Sequence, residues 1–315
     1  MALPTFVANG LVASAAGAAI TPPFPAGILA NDILLLFLET ANQAVSISNP
    51  GGGVWTEAPP SPQGTGSGTT GTRLTIFWSR YDGLQLPPTT SAPANHVIGY
   101  ISAFRGCVTS SNPIFAWQGN VQAGADISVE IPGTTTGAED HLIIAAVATG
   151  PDISSATEVS GWTNTNLANV TERNDQWVAT ANGGGIGFAT GEMVSPGNYG
   201  TTTATLVTSF AQARISLALS PPIPPRRGYV YYAEFEAPTA PRVGRIYHVE
   251  LETPDAPRRG IVYFVETEFP DEPRRGRTYW AVLQVPPGSS FNDADAQDFL
   301  LLLNRRDGGR RRIKL

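Results

Sequence analysis

Between Pro225 and Gly288 the chain writes nearly the same sixteen residues four times. The copies read "PRRGYVYYAEFEAPTA", "PRVGRIYHVELETPDA", "PRRGIVYFVETEFPDE" and "PRRGRTYWAVLQVPPG". Pro225, Pro241, Pro257 and Pro273 share one repeat position, and Gly228, Gly244, Gly260 and Gly276 a second. Tyr231, Tyr247, Tyr263 and Tyr279 share a third, and Pro238, Pro254, Pro270 and Pro286 a fourth. A short fixed period restricts the fold to units that bury their surface against neighbours of the same kind. Enzymes seldom need such repetition, whereas extended structural and assembly elements use it.

Between the glycine and the later proline the residues alternate. Tyr231, Ala233, Phe235 and Ala237 fall on one face, and Val230, Tyr232, Glu234 and Glu236 on the other. A period of two predicts a strand of about 30 Å when extended. Proline at either end stops further pairing, and Pro-x-x-Gly suits a tight turn. Two architectures fit: a meander within one chain, or a shaft wound from three chains. The apolar face is thin, mostly Tyr, Val and Leu, which favours burial against other chains. Arg226, Arg258 and Arg274 precede the glycines, and Glu234, Glu250 and Glu266 follow at fixed offsets. Such pairs set register between repeats or between chains; the alternative is a solvated face, where each pair contributes little. Interleaved glutamates cancel the field that nucleic acid would need.

Charge and composition separate this segment from the rest. Residues 1–220 carry 5 Arg or Lys against 13 Asp or Glu, while residues 221–315 carry 15 against 13. The first part repels nucleic acid. With 33 Gly and 27 Pro and only 15% charged residues, the chain suits short strands joined by turns. Strand-like runs recur over residues 1–220, among them "DILLLFLETA", "TRLTIFWSRYDG", "HVIGYISAF", "DHLIIAAVATG" and "ARISLAL". No sustained helical period appears there.

These runs fall into two similar sets. Asp32 opens an apolar run with Trp55-Thr56 behind it, and Asp140 opens another with Trp162-Thr163 behind it. Each set continues with a middle run (Leu74–Trp78; Ile186–Ala189) and a closing one (Val97–Phe104; Arg214–Leu219). Two such sets supply the two sheets of a β-sandwich or jelly roll. Trp55 and Trp162 read as plugs at the sandwich ends, with stacking on a glycan as the alternative.

The string "PAGILANDILLLFLETANQAVSI", with "GGVWTEAPPSPQGTG", "TRLTIFWSRYDG" and "IGYISAFRGC", resembles a module common in predicted virion proteins of tailed bacteriophages. The resemblance covers roughly residues 1–220 and rests on apolar strands plus "W-T", "R-Y-D-G" and "A-F-R-G". It implies a β-sandwich or jelly-roll domain on a tail, fibre or capsid, and it carries no catalytic or binding residues.

Sites for chemistry are scarce. Cys107 is the one cysteine, so an internal disulfide and a thiolate cluster are both excluded. His96, His141 and His248 all sit in strand-like runs, and alternation makes Glu139-Asp140-His141 a poor metal site. No G-x-S-x-G elbow, H-E-x-x-H helix or P-loop is present. The glycine-rich "NGGGIG" reads as a bulged turn, and a carboxylate pair for glycoside hydrolysis has no standout candidate.

Residues 289–315 read as one short helix with a free basic end. Ser290 or Asn292 caps it, and Phe299, Leu300, Leu301 and Leu303 give it an apolar surface to dock. The opening "MALPTFVANG" lacks a basic n-region, so no export signal is expected, and no apolar run approaches the length of a membrane span.

The chain therefore reads as all-β: a sandwich or jelly roll over residues 1–220, four β-repeats over 221–288, then the helix and basic tail. The expected function is a non-enzymatic virion component without cofactor or metal, a fibre, spike or decoration. Its expected partners are itself, as a homotrimer, and other virion proteins, with no nucleic acid and no membrane insertion. The alternative is a carbohydrate-binding module that recognises host surface glycans.

Overall fold

The computed structural model describes residues 3–48, 53–153, 157–179 and 183–222, and beyond these the backbone of three short strands. The chain divides into two compact units, Met1–Ile223 and Pro224–Leu315. Regular structure among the described residues is all β apart from one 3-10 turn at Gly68–Thr70.

The first half of unit one supplies β1 (Thr5–Asn9), β2 (Ala13–Ala16), β3 (Ile33–Thr40), β4 (Ile47–Ser48), β5 (Thr56–Glu57), β6 (Gln63–Thr65), β7 (Thr72–Arg80), β8 (Thr89–Thr90) and β9 (His96–Arg105). Seven of these form an antiparallel sheet in the order β1-β9-β3-β7-β5, with β2 also on β9 and β6 also on β7. Strands β4 and β8 pair separately. Every residue of β3 is buried. Ile33, Leu35 and Phe37 face the central core, while Leu34, Leu36 and Leu38 face outward under Ile20, Trp55, Phe24, Ile28 and Ile47. A strand covered on both faces has no reason to alternate, which is why "ILLLFL" reads as an unbroken apolar run.

The second half supplies β10 (Ile114–Ile131), β11 (Thr135–Thr136), β12 (His141–Thr149), β13 (Val159–Thr163), β14 (Ala168–Val178), β15 (Gly184–Met193), β16 (Gly197–Asn198) and β17 (Thr202–Leu219). Its sheet runs β10-β17-β12-β15-β14, with β13 beside β17, and β11 pairs with β16.

The two sheets share one plan. Matching β1, β3, β7 and β9 to β10, β12, β15 and β17, each sheet runs first, last, second, third from its edge. They pack face to face through Phe37, Leu74, Tyr100 and Phe104 on one side and Ile144, Ile186, Phe188 and Ile215 on the other. Phe37 stacks on Phe188 at 4.9 Å and on Tyr100 at 5.5 Å between centroids. Strands β3 and β9 meet β15, and β12 and β17 meet β7. Exchanging equivalent strands turns one set of contacts into the other, the relation expected of an isologous interface.

The structure corrects two details of the sequence reading. Matching Asp32 to Asp140 sets Ile33 over His141, yet on β12 it is Leu142, Ile144 and Ala146 that face the central core. A one-residue slip reverses every side chain of a strand, so the halves align one residue out of that phase. Each sheet also comes from one contiguous half of unit one, so the all-β sandwich holds while the interleaved strand order of a jelly roll does not describe it.

Strands β10 and β17 are each 18 residues long and pair from Ile114↔Leu219 to Ile131↔Thr202. Their register slips between Gln122 and Ser128, and such bulges bend a ribbon. Past the bend, Val129, Ile131, Ala204 and Leu206 pack with Trp162 and Trp177 over Ala145, Val147 and Ala189 on the outer face of their own sheet. Buried Arg214 holds the corner. Its Nη1 donates to the Glu130 carbonyl and its Nη2 to that of Ser128, both at 3.1 Å, and its Nε to Gln212 Oε1 at 2.8 Å. Gln212 Nε2 donates in turn to the Asp126 carbonyl at 2.8 Å. These donors satisfy main-chain carbonyls at and just past the bend.

In unit two the backbone forms β18 (Val230–Phe235), β19 (Val262–Thr267) and β20 (Ile313–Lys314). Strands β18 and β19 are parallel, and every partner lies 32 residues along, from Val230↔Val262 to Phe235↔Thr267. The alternating strands read from the sequence are present at these two repeats. Direct pairing of the first repeat with the third leaves no place for the second between them, so a simple meander does not describe this pair. Ile313–Lys314, read as part of a free basic end, instead pairs antiparallel with β19. The short helix expected within residues 289–315, ahead of Gly308-Gly309, lies outside the described residues.

Candidate functional site

The two tryptophans proposed as glycan contacts are core residues. Trp55 is 8% exposed and packs beneath the outer face of the first sheet with Leu34, Leu36 and Phe77. Trp162 is 9% exposed and fills the matching place on the second sheet with Val147, Val159 and Trp177. A sugar stacks on an open ring face, and neither ring presents one. In the repeat segment the backbone sets Tyr231 beside Tyr263 and Glu234 beside Glu266. Tyr247, Tyr279, Arg226, Arg258, Arg274 and Glu250 lie outside the described residues, as do Phe299, Leu300, Leu301 and Leu303.

The motif residues behind the bacteriophage resemblance hold the fold together. Arg105 of "AFRG" grips buried Asp32 with Nε to Oδ1 at 2.9 Å and Nη2 to Oδ2 at 2.7 Å, tying the end of β9 to the start of β3. In "RYDG", Asp82 Oδ1 accepts from the Leu84 and Gln85 amides, each at 2.7 Å, and closes a turn.

An exposed aromatic strip was not anticipated. Strand β10 lies at the edge of its sheet. Ile114 packs into the central core and Ala116, beyond a register shift, onto the opposite face beside Ile143 and Ala218, while Phe115, Trp117 and Val121 are 46%, 42% and 40% exposed. The Phe115 ring lies 4.8 Å from that of His141, whose Nδ1 donates to the Ala138 carbonyl at 3.0 Å. Burial lowers the His141 pKa, against the opposing effect of the Ala138 hydrogen bond. No charged residue stands between Arg105 and Asp126, so the strip lacks the charges that usually blunt a sheet edge. Gln118, Asn120 and Gln122 alternate with the apolar side chains. Its sequence signal was the aromatic pair in "IFAW", flanked by uncharged residues.

A second unanticipated feature is a titratable pair sealed in the central core. Glu39 stands two residues beyond Phe37 on the inward face of β3, and His96 opens β9 on its inward face. Glu39 Oε2 and His96 Nε2 lie 2.8 Å apart, with side chains 0% and 1% exposed. Glu39 Oε1 and His96 Nδ1 make no hydrogen bond. Burial pushes the Glu39 pKa up to about 7, against the opposing effect of the His96 hydrogen bond and charge. Gly184 of β15 lies over the pair with φ +124, where a Cβ would overlap Glu39 Oε2. The pair is closed to solvent and to any substrate, which makes it a core polar contact rather than an acid–base dyad.

Cys107 is likewise inert, because burial pushes its thiol up to about 12. Among the described residues no three His, Cys, Asp or Glu side chains gather as a metal-binding group, and no helix is long and apolar enough to cross a membrane.

No protein-family model, curated protein or solved structure matches this chain.

Proposed function

We propose that this protein is a non-enzymatic structural component of a bacteriophage virion, a surface appendage or decoration that assembles as a homotrimer. The sandwich serves as its rigid body. The repeat segment and C-terminal residues contact other copies and other virion proteins. The observation that carries this reading is the phase of the repeat. Strands occur at the same positions of repeats one and three, and they pair like position to like position. A chain that spends four copies of one unit on such pairing is built for length or periodic contact. The resemblance of residues 1–220 to tailed-bacteriophage modules supplies the setting. Electron microscopy of the particle tests it: density for the two-sheet sandwich on the particle surface supports the reading, and absence of the chain from purified particles refutes it.

A second reading, recognition of host surface glycans, is favoured by one feature, the strip on β10. Exposed Phe115 and Trp117 offer flat apolar ring faces on an edge strand without charged residues, the kind of surface on which sugars stack. Glycan-array binding that Trp117→Ala abolishes and Trp55→Ala leaves in place in the folded protein supports it. Binding that survives Trp117→Ala removes the strip from consideration.

A further inference from the structure

We infer that the outer layer of the first sheet is a contact surface for a second copy of this chain, so that the sandwich takes part in assembly beside the repeat segment. The inference rests on the reading of the protein as a self-assembling component and names the face that the copies share.

The layer is built from loops that cover β3 and β9. Ile20, Phe24, Ile28, Ile47 and Trp55 turn inward onto Leu34, Leu36, Leu38 and Ile101. The loops also touch one another. Gly10 abuts Pro23, the Phe24 and Tyr81 rings pack edge to face at 5.6 Å between centroids, Gly83 abuts Ala30, and Gln85 abuts Gly53. Turned the other way, Leu11, Leu29, Leu84 and Leu86 are 79%, 58%, 85% and 56% exposed. Gln85, between two of these leucines, is buried, and its amide donates to Asp82 Oδ1 at 2.7 Å. The turn that presents Leu84 and Leu86 is therefore held in place before any partner arrives, which lowers the entropy cost of a contact there.

Charge decides what this face can meet. Residues 1–31, 40–56 and 83–104 hold no Asp, Glu, Lys or Arg, in a chain where these make up 15%. Asp82 and the Asp32–Arg105 pair adjoin them in sequence and are engaged already, with backbone amides and with each other. Residues 106–222, which build the second sheet, carry 9 Asp or Glu against 2 Arg. Glu130 and Glu172 are exposed there. Copies meeting through their second sheets would set like charges together, whereas the first-sheet layer has no charge to desolvate. A layer without cations does not draw nucleic acid or an anionic membrane, and one without anions does not draw a basic protein. Exposed leucines in a charge-depleted surface have the composition of an interface core. The partner that fits is another uncharged surface, and each further copy brings one. With copies tethered through the repeat segment, the contact forms at high effective concentration and needs little affinity of its own.

The test uses the full-length wild-type chain, labelled by hydroxyl radicals at concentrations below and above its association, with sedimentation of the same samples. Labelling of Leu29, Leu84 and Leu86 is expected to fall about threefold in the oligomer, while labelling of Val207, 70% exposed on the acidic half, stays the same. Leu84→Glu, at a site exposed in the folded chain, is expected to raise the concentration needed for association about tenfold; Val207→Glu is expected to leave it unchanged. An oligomer whose Leu84 and Leu86 label as freely as in the monomer, or which tolerates Leu84→Glu as it tolerates Val207→Glu, overturns this contact and leaves assembly through the repeat segment standing. Protection that appears only on adding phosphatidylcholine vesicles assigns the face to lipid and overturns it as well. A wild-type chain that is monomeric at every concentration overturns both this contact and the assembly reading.

Discussion

Replacing Glu39 by Gln should flatten the pH dependence of this protein's stability. Glu39 lies wholly within the central core, and burial lifts its pKa from the ordinary 4.5 to about 7. The folded state therefore prefers the neutral carboxyl. Its contribution is fully present below about pH 4.5, where the unfolded chain is also protonated. It is lost progressively as pH rises through the folded value near 7. At about 1.4 kcal/mol per tenfold change in proton affinity, the difference is about 3 kcal/mol. An amide keeps the shape and can still meet His96 Nε2, but it does not ionise. The two proteins should match near pH 4.5, and the variant should be more stable by about 3 kcal/mol at pH 8. Urea unfolding midpoints measured from pH 4.5 to 8 provide the comparison, because the other titrating groups are common to both chains. Infrared spectroscopy at pH 6 should show a protonated carboxyl band that the variant lacks. Parallel stability curves for the two proteins would refute the argument.

Other perturbations test the packing. Gly184→Ala forces a Cβ into Glu39 Oε2 at a φ of +124 and should destabilise by at least about 2 kcal/mol in chemical unfolding. Arg214→Met removes the donors at the β10–β17 corner. It should cost about 2–4 kcal/mol and raise amide exchange at residues 126–130, where the pairing is bent. Trp162→Ala should cost about 3–5 kcal/mol as a core truncation, whereas exposed Trp117→Ala should change stability by less than about 1 kcal/mol. Thermal unfolding of the two tryptophan variants separates a core plug from a surface contact.

Much of the fold was legible because local patterns carry it. "ILLLFL" announces a strand buried on both faces, and the glycine and proline clusters mark its ends. The recurrence of strand, tryptophan, strand pointed to two similar sheets before any pairing was known. The phase of that recurrence was misread because Asp32 and Asp140 look alike in sequence, whereas the inward face is set by packing across the sheets. Glu39 was silent for a related reason. A glutamate closing an apolar run reads as a residue reaching for water, and only the approach of His96, 57 residues away, shows it enclosed. The lid formed by the far halves of β10 and β17 depends on a bend that Arg214 stabilises from within, and an arginine near the end of a chain segment carries no sign of that. The strip at Phe115 and Trp117 was readable as an aromatic pair in an uncharged run. Its place at a sheet edge was not, since strand order is decided by partners distant in sequence.

Sedimentation velocity of the full-length protein over a wide concentration range tests the central claim most directly. The account predicts a discrete species of three times the 33.2 kDa chain mass, held together by the repeat segment and lost when residues 225–315 are removed. A compact particle of a single chain at every concentration would contradict it.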